Sequence, residues 1–283
     1  MLQAAEKAAS QPLSEINYSF LKRLAEVLVA LGTQLCSLYG KEDDVVKPET
    51  FVMYLKALLA LTDHPSLSIN HITTGLWLTL FRHDCINKDS DLVDVLNTWI
   101  NSVAQKLMKV GYPSHNDHMA CAYSRLDFES DEDFSTFLHR FRVDLLDSVR
   151  LATLIAPAVT FAYAEHWLCQ QLTKAAPSEL CTAQSQSVLE WEAIAVFLDC
   201  VVSKSLASAV IEDCPSTPDF AVVGLRLLES CLRYESRDPL IVSGLLSCIS
   251  AMFIFVKQDP MRVQGTIHQF QCLKSIIIFL FNN

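Results

Sequence analysis

Apolar residues fall on helical spacings along almost the whole of this chain. In residues 13–39, Ile16, Phe20, Leu24, Val27 and Leu31 recur at three- and four-residue steps, and Gly40 closes the segment. Pro48 suits the first turn of the next helix, where a missing N–H costs nothing. Phe51, Tyr54, Leu55, Leu58 and Leu59 then form one buried stripe. His64-Pro65 breaks that helix, and Ile69, Ile72, Leu76 and Leu80 predict another over 68–82. Leu92, Val95, Leu96, Trp99, Val103 and Leu107 predict a helix over 89–109, ended by Gly111 and Pro113. Residues 112–130 are polar and read as the longest connection. A helix beginning near Ser130 runs to about Ile155, where Pro157 stops it. Further helices are expected over 161–174, 188–205, after Thr217-Pro218, and from Asp238-Pro239 through Val256. Asp259-Pro260 opens the last segment.

These helices pair. An amphipathic helix, a proline-punctuated turn and a more apolar helix occur around His64-Pro65 and again around Asp238-Pro239. The pairing gives four units, at 48–83, 89–155, 158–205 and 217–257, with the helix at 13–39 as the second half of a further unit. Two-helix units of this length point to a HEAT-type helical repeat solenoid, all-α, with four helix pairs and one unpaired N-terminal helix. Residues 13–257 are expected to form the repeat segment, 1–12 a frayed start and 258–283 a divergent or truncated tail. The apolar run at 275–281 lacks the polar outer face of a capping repeat, so both ends read as cut.

Composition sharpens this picture. Hydrophobic residues make up 51% of the 283 and charged residues only 19%. The mean hydropathy of +0.26 is high for a free-standing soluble chain. It needs either membrane spans or helices covered by neighbours. The run 239–256 holds 18 residues without charge or histidine, the lower edge of a membrane span, but contains Ser243, Ser247 and Ser250. A buried core helix accounts for it better, and no membrane insertion is expected. Seven glycines without hairpin spacing disfavour a sandwich or barrel. The net charge of −10 excludes a wholly basic surface but leaves room for a local basic stripe. Ten cysteines without a CxxC pair indicate free thiols in a reducing compartment; Cys36, Cys169, Cys200, Cys231, Cys248 and Cys272 sit in apolar helical patterns.

Candidate chemistry is sparse. Asp127, Glu129, Asp131, Glu132 and Asp133 make the most acidic run. Ser130 and Asp133 resemble a capping box, and acids in a first turn favour the helix dipole. A contact with a basic partner is the functional alternative, with Asp131, Glu132, Asp133, Arg140 and Arg142 as candidate partner-binding residues. Arg140 can pair with Asp144, and Asp147 with Arg150, along the same helix. His115, His118 and Cys121 offer three metal-ligand types but lack the paired blocks of a zinc site. Glu165 and Glu192 read as half-exposed helix residues rather than an acid–base pair. No P-loop, nucleophile elbow, dinucleotide loop or HExxH is present, so no catalytic residue, metal or cofactor is assigned.

With the repeat in place, the stretch Tyr123-Ser-Arg-Leu-Asp-Phe-Glu-Ser-Asp-Glu-Asp-Phe134 resembles a segment of the exportins, karyopherins of the importin-β superfamily. It departs at Leu126, where an aromatic is expected, and at Glu129, where Asp is expected. Collinear matches include Phe20-Leu-Lys-Arg-Leu24, Ala30-Leu-Gly-Thr-Gln-Leu-Cys36, His64-Pro-Ser66 and Leu80-Phe-Arg-His83. They continue at Glu165-His-Trp-Leu168, Trp191-Glu-Ala193, Asp238-Pro-Leu-Ile241 and Ser250-Ala-Met-Phe-Ile-Phe-Val256, over roughly 15–256 in all. The resemblance implies an internal piece of the N-terminal half of a nuclear export receptor that shuttles between nucleus and cytoplasm. Its implied partners are Ran-GTP, nuclear pore proteins and structured RNA with a double-stranded stem, such as precursor microRNA. It identifies no contact residue here. The alternative is a generic helical scaffold that recruits proteins without Ran or RNA.

Overall fold

The computed structural model describes residues 14–40, 45–175, 177, 179–209 and 220–258. Among them all regular structure is helical: α1 Glu15–Leu38, α2 Phe51–Asp63, α3 Leu67–Arg82, α4 Ser90–Ala104, α5 Ala120–Asp127, α6 Asp131–Ile155, α7 Pro157–Thr173, α8 Gln186–Ala209, α9 Phe220–Leu232 and α10 Pro239–Gln258. The expected start at 1–12 and tail beyond Gln258 lie outside the described residues, as do Thr217-Pro218, Asp259-Pro260 and Cys272.

The chain divides into two compact units at Ala156 and Pro157. In the first, α1, α3 and α6 pack side by side as one layer, and α2 and α4 form a second. The link between the layers is α2 against α3 and α4 against α6, the pairs expected from the sequence. In the second unit α7 lies on α8 and α9 on α10, while α8 packs along α10 and α7 along α9. Each unit therefore repeats one step of a two-layer helical array, the all-α helical-repeat class.

Helix starts follow local chemistry. Ser66 Oγ accepts from Ile69 N at 3.3 Å to cap α3, and Asp89 Oδ1 accepts from Asp91 N at 2.9 Å to cap α4. Asp238 caps α10, accepting from Leu240 N and Ile241 N at 2.9 and 3.0 Å, and its other oxygen takes Cys181 N at 2.6 Å. Burial alone would raise the Asp238 carboxyl, but these three N–H donors hold it below the usual carboxylate range. In the first unit's core Phe81 meets Trp99 edge-on at 5.0 Å. The Trp77 indole N–H donates to Thr62 Oγ1 at 2.8 Å, joining α3 to α2. The second core gathers Phe161, Trp191, Phe197, Phe220 and Phe255.

Two sequence expectations change. The stripe assigned to α1 faces solvent: Ile16 is 81% exposed, and Phe20, Val27 and Leu31 are about half exposed. The buried face is Tyr18, Leu21, Ala25, Leu28, Gly32 and Cys36. Both stripes have helical period. The second carries small residues that admit close neighbours, and a Cβ on Gly32 would overlap the Tyr54 hydroxyl at 2.0 Å. Residues 120–127, placed in a loop by their polarity, form α5 instead. Helix α10 is long and apolar enough to cross a membrane, with 33% of its 18-residue window buried. Its buried face is Ile241, Leu245, Cys248, Ile249, Met252 and Phe255.

Candidate partner-binding site

The acidic stretch is held on an aromatic floor. Gly111 adopts φ +94°, a left-handed turn that glycine permits, and delivers Tyr112 beside Phe134 at 5.0 Å. Phe128, between α5 and α6, lies 5.3 Å from Phe134 and 4.9 Å from Phe137. Phe134 is fully buried, so the start of α6 is fixed by hydrophobic contact as well as by its cap.

Ser130 caps α6 as expected. Its Oγ accepts from Asp133 N at 3.2 Å and donates to Asp133 Oδ2 at 2.9 Å. Asp131 accepts from Ser114 Oγ at 2.6 Å and from Ser114 N at 3.1 Å. The Ser114 hydroxyl, then its N–H, hold the Asp131 carboxyl below its ordinary range. Two of the three first-turn acids, Asp131 and Asp133, are thus hydrogen-bonded to neighbouring serines. Glu129, Glu132 and Asp133 still present charge to solvent. Arg125 secures the same loop, donating to Pro113 O at 3.1 Å and His115 O at 2.7 Å.

The basic candidates do not gather. Arg140 is exposed and Arg142 half-buried. They stand about 200° apart around α6 at 3.6 residues per turn. Arg140 shares a face with Asp133, two turns and about 10 Å along the axis. Asp144 faces His71 of α3 at 3.7 Å rather than Arg140, whereas the Asp147–Arg150 pair forms. His115, His118 and Cys121 do not converge: His118 Nδ1 accepts from Ala120 N at 3.1 Å, and Cys121 Sγ lies against Asp117 at 3.4 Å. Glu165 pairs with Arg226 of α9 at 2.6 Å.

Sequence reasoning missed the structural importance of Asp127. Its side chain is only 6% exposed and binds Lys22 Nζ at 2.8 Å. The Tyr18 hydroxyl donates to Asp127 and shares a 2.7 Å hydrogen bond with Ser66 Oγ. Burial, then the Asp127 contact, push the Tyr18 phenol well above its ordinary value. This cluster ties α1, the α2–α3 turn and the end of α5 across 109 residues of sequence, a separation that no local pattern signals. Among the described residues no group of three His, Cys, Asp or Glu is placed to hold a metal ion. The stretch is a structurally braced acidic edge, with Arg140 about 10 Å farther along the same face of α6.

The sequence profile of the Exportin-5 family matches residues 15–276. The chain belongs to the exportin-5 family. It is 36% identical to human Exportin-5 and 35% identical to mouse Exportin-5, each over 92% of this chain. Exportin-5 of Dictyostelium discoideum is 21% identical over 88% of the chain. The chain spans 22% of the length of each of these relatives. The family match covers both units, the acidic stretch and all five candidate residues.

Proposed function

We propose that this chain supplies part of the helical-repeat body of a nuclear export receptor of the exportin-5 family. The carrying observation is the family match over 15–276 on a two-layer helical repeat. The receptor binds Ran-GTP together with structured double-stranded RNA such as precursor microRNA, passes nuclear pore proteins and releases its cargo in the cytoplasm. No reaction is assigned to the chain itself. Its contribution is shape and surface, with Asp131, Glu132, Asp133, Arg140 and Arg142 as partner-facing candidates.

Charge divides the labour within such a receptor. Binding to an RNA stem rests on several cations aligned along phosphates. This segment has net charge −10, and Arg140 and Arg142 point to different sides of α6. Arg140 and Arg142 therefore form no phosphate stripe with each other, and we assign this segment to protein contacts and spacing. The test is hairpin RNA binding by the full-length protein with and without GTP-loaded Ran. The expected result is binding that Ran-GTP strengthens and salt weakens. RNA binding that is absent, or indifferent to Ran-GTP, would leave the generic scaffold as the better account.

A further inference from the structure

The ends of α1 and α3 enclose a cavity of about 330 Å³, and two cysteines, Cys36 and Cys85, are both in its lining. Cys36 lies near the end of α1 and is only 6% exposed. Cys85 follows α3 and is exposed, and both thiols are free. Gly40 lines the same cavity and ends the α1 segment with φ +75°. A Cβ on Gly40 would stand 2.8 Å from Cys85 Sγ, so glycine leaves that sulfur uncovered on this side. The Cys85 thiol therefore reaches the end of α1, four residues beyond Cys36, or about 6 Å of helical rise.

The two walls are braced against each other. His83 Nδ1 accepts from Cys85 N and from Ile86 N, both at 3.2 Å. The ring proton accordingly sits on Nε2, which donates to Tyr39 O at 3.1 Å, and Tyr39 stacks on the ring at 6.0 Å. Arg82 and Asp84 are exposed on the same lining. The Arg82 guanidinium favours a thiolate and the carboxylates of an incoming peptide, and Asp84 opposes both. Elsewhere Cys121, Cys200, Cys231 and Cys248 are buried. At Cys169 and Cys181, burial and then the carboxylates of Glu165 and Asp238 push the thiols up.

We propose that Cys85 and Cys36 form a dithiol site oxidised by small peptide disulfides such as glutathione disulfide, with Cys85 as the attacking thiol and Cys36 as the resolving one. The Cys85 thiolate attacks one sulfur of the reagent. A mixed S–S bond forms, the reagent's S–S bond breaks, and one glutathione thiolate leaves. Cys36 then gives its proton to solvent and attacks the Cys85 sulfur, releasing the second glutathione. Two protein thiols are oxidised to one disulfide, and one glutathione disulfide is reduced to two thiols. An exposed thiol beside a buried partner is the arrangement of a reversible redox sensor, consistent with a reducing compartment. The linked form fastens the end of α1 to the segment after α3, two neighbouring helices of one layer.

The test is incubation of the reduced, folded chain at pH 7.5 with glutathione disulfide, followed by alkylation of the remaining thiols and mass spectrometry of unreduced peptides. Half-buried Cys181 is the internal reference. With total glutathione at roughly 0.1 mM, well below the millimolar effective concentration of a neighbouring thiol, the Cys36–Cys85 link should exceed the Cys85 mixed disulfide about tenfold. Cys36→Ser should stop the reaction at the mixed disulfide on Cys85, and Cys85→Ser should leave Cys36 reduced. Modification of Cys85 no faster than Cys181 overturns the proposal. A mixed disulfide that persists on Cys85 of the parent chain while Cys36 stays reduced overturns it too, and both readings come from the unaltered sequence.

Discussion

His64 shows how a single residue writes pH dependence into the repeat. It is only 5% exposed, at the break between α2 and α3, and its Nδ1 accepts from Ser66 N at 3.1 Å. Burial, reinforced by the nearby Lys106, pushes the imidazole down to about 4. The unfolded chain takes up this proton near pH 6.5. Above pH 6.5 neither state is protonated, and the contribution of neutral His64 to stability is fully present. As the pH falls from 6.5 towards 4, the unfolded state gains a proton that the folded state refuses, and the contribution is lost. Urea unfolding at pH 7 and pH 5 should show the parent chain losing about 1–2 kcal/mol more than His64→Gln over that interval. Equal losses in the two chains would mean that His64 protonates freely in the folded state.

At the scale of the element, small residues set how closely helices approach. A Cβ on Gly224 of α9 would sit 2.3 Å from the Phe255 ring of α10, and Phe255 is fully buried. Gly75 on the exposed side of α3 would meet nothing within 4 Å. Gly224→Ala should destabilise the second unit by about 1–3 kcal/mol through overpacking. Gly75→Ala should instead stabilise the first by up to about 1 kcal/mol, because alanine favours a helix. Differential scanning calorimetry of the two variants checks both signs; a neutral Gly224→Ala would show that α9 and α10 can part at no cost. The same elements show what the sequence made legible. Helix periodicity placed most helices, and the Ser130 and Asp238 caps marked two starts correctly, because caps and stripes are local. Periodicity could not choose between the two apolar faces of α1, since the deciding contact is Gly32 against Tyr54 on another helix. It missed α5 because an eight-residue helix offers too few turns to establish a period. The Tyr18–Ser66–Asp127 cluster was invisible for the same reason at longer range: each residue is ordinary alone, and only folding brings them together.

Across the whole molecule the acidic balance governs how it meets partners. A net charge of −10 repels polyanions and draws basic surfaces, and its effect is strongest on the rate of encounter. Within the acidic stretch the charges are not equivalent. Asp131 is committed to Ser114 and Asp133 to Ser130, so their loss would loosen the loop and the α6 cap before it tested any partner. Glu132 is exposed and its carboxylate makes no ion pair among the described residues, which makes it the clean probe. Glu132→Lys in the full-length receptor should leave the melting temperature within about 2 °C, because an exposed first-turn charge contributes only a few tenths of a kcal/mol. If a basic protein surface docks at this edge, the substitution should slow association several-fold at 50 mM salt and lose that effect at 500 mM, where the Debye length shrinks to a few ångströms. Stopped-flow association with GTP-loaded Ran, run beside hairpin RNA, separates the partners. A slowing confined to Ran assigns the acidic edge to protein recognition. Unchanged rates for both would reduce Glu132 to a solvated charge favoured by the helix dipole, and would leave the acidic stretch with its structural role alone.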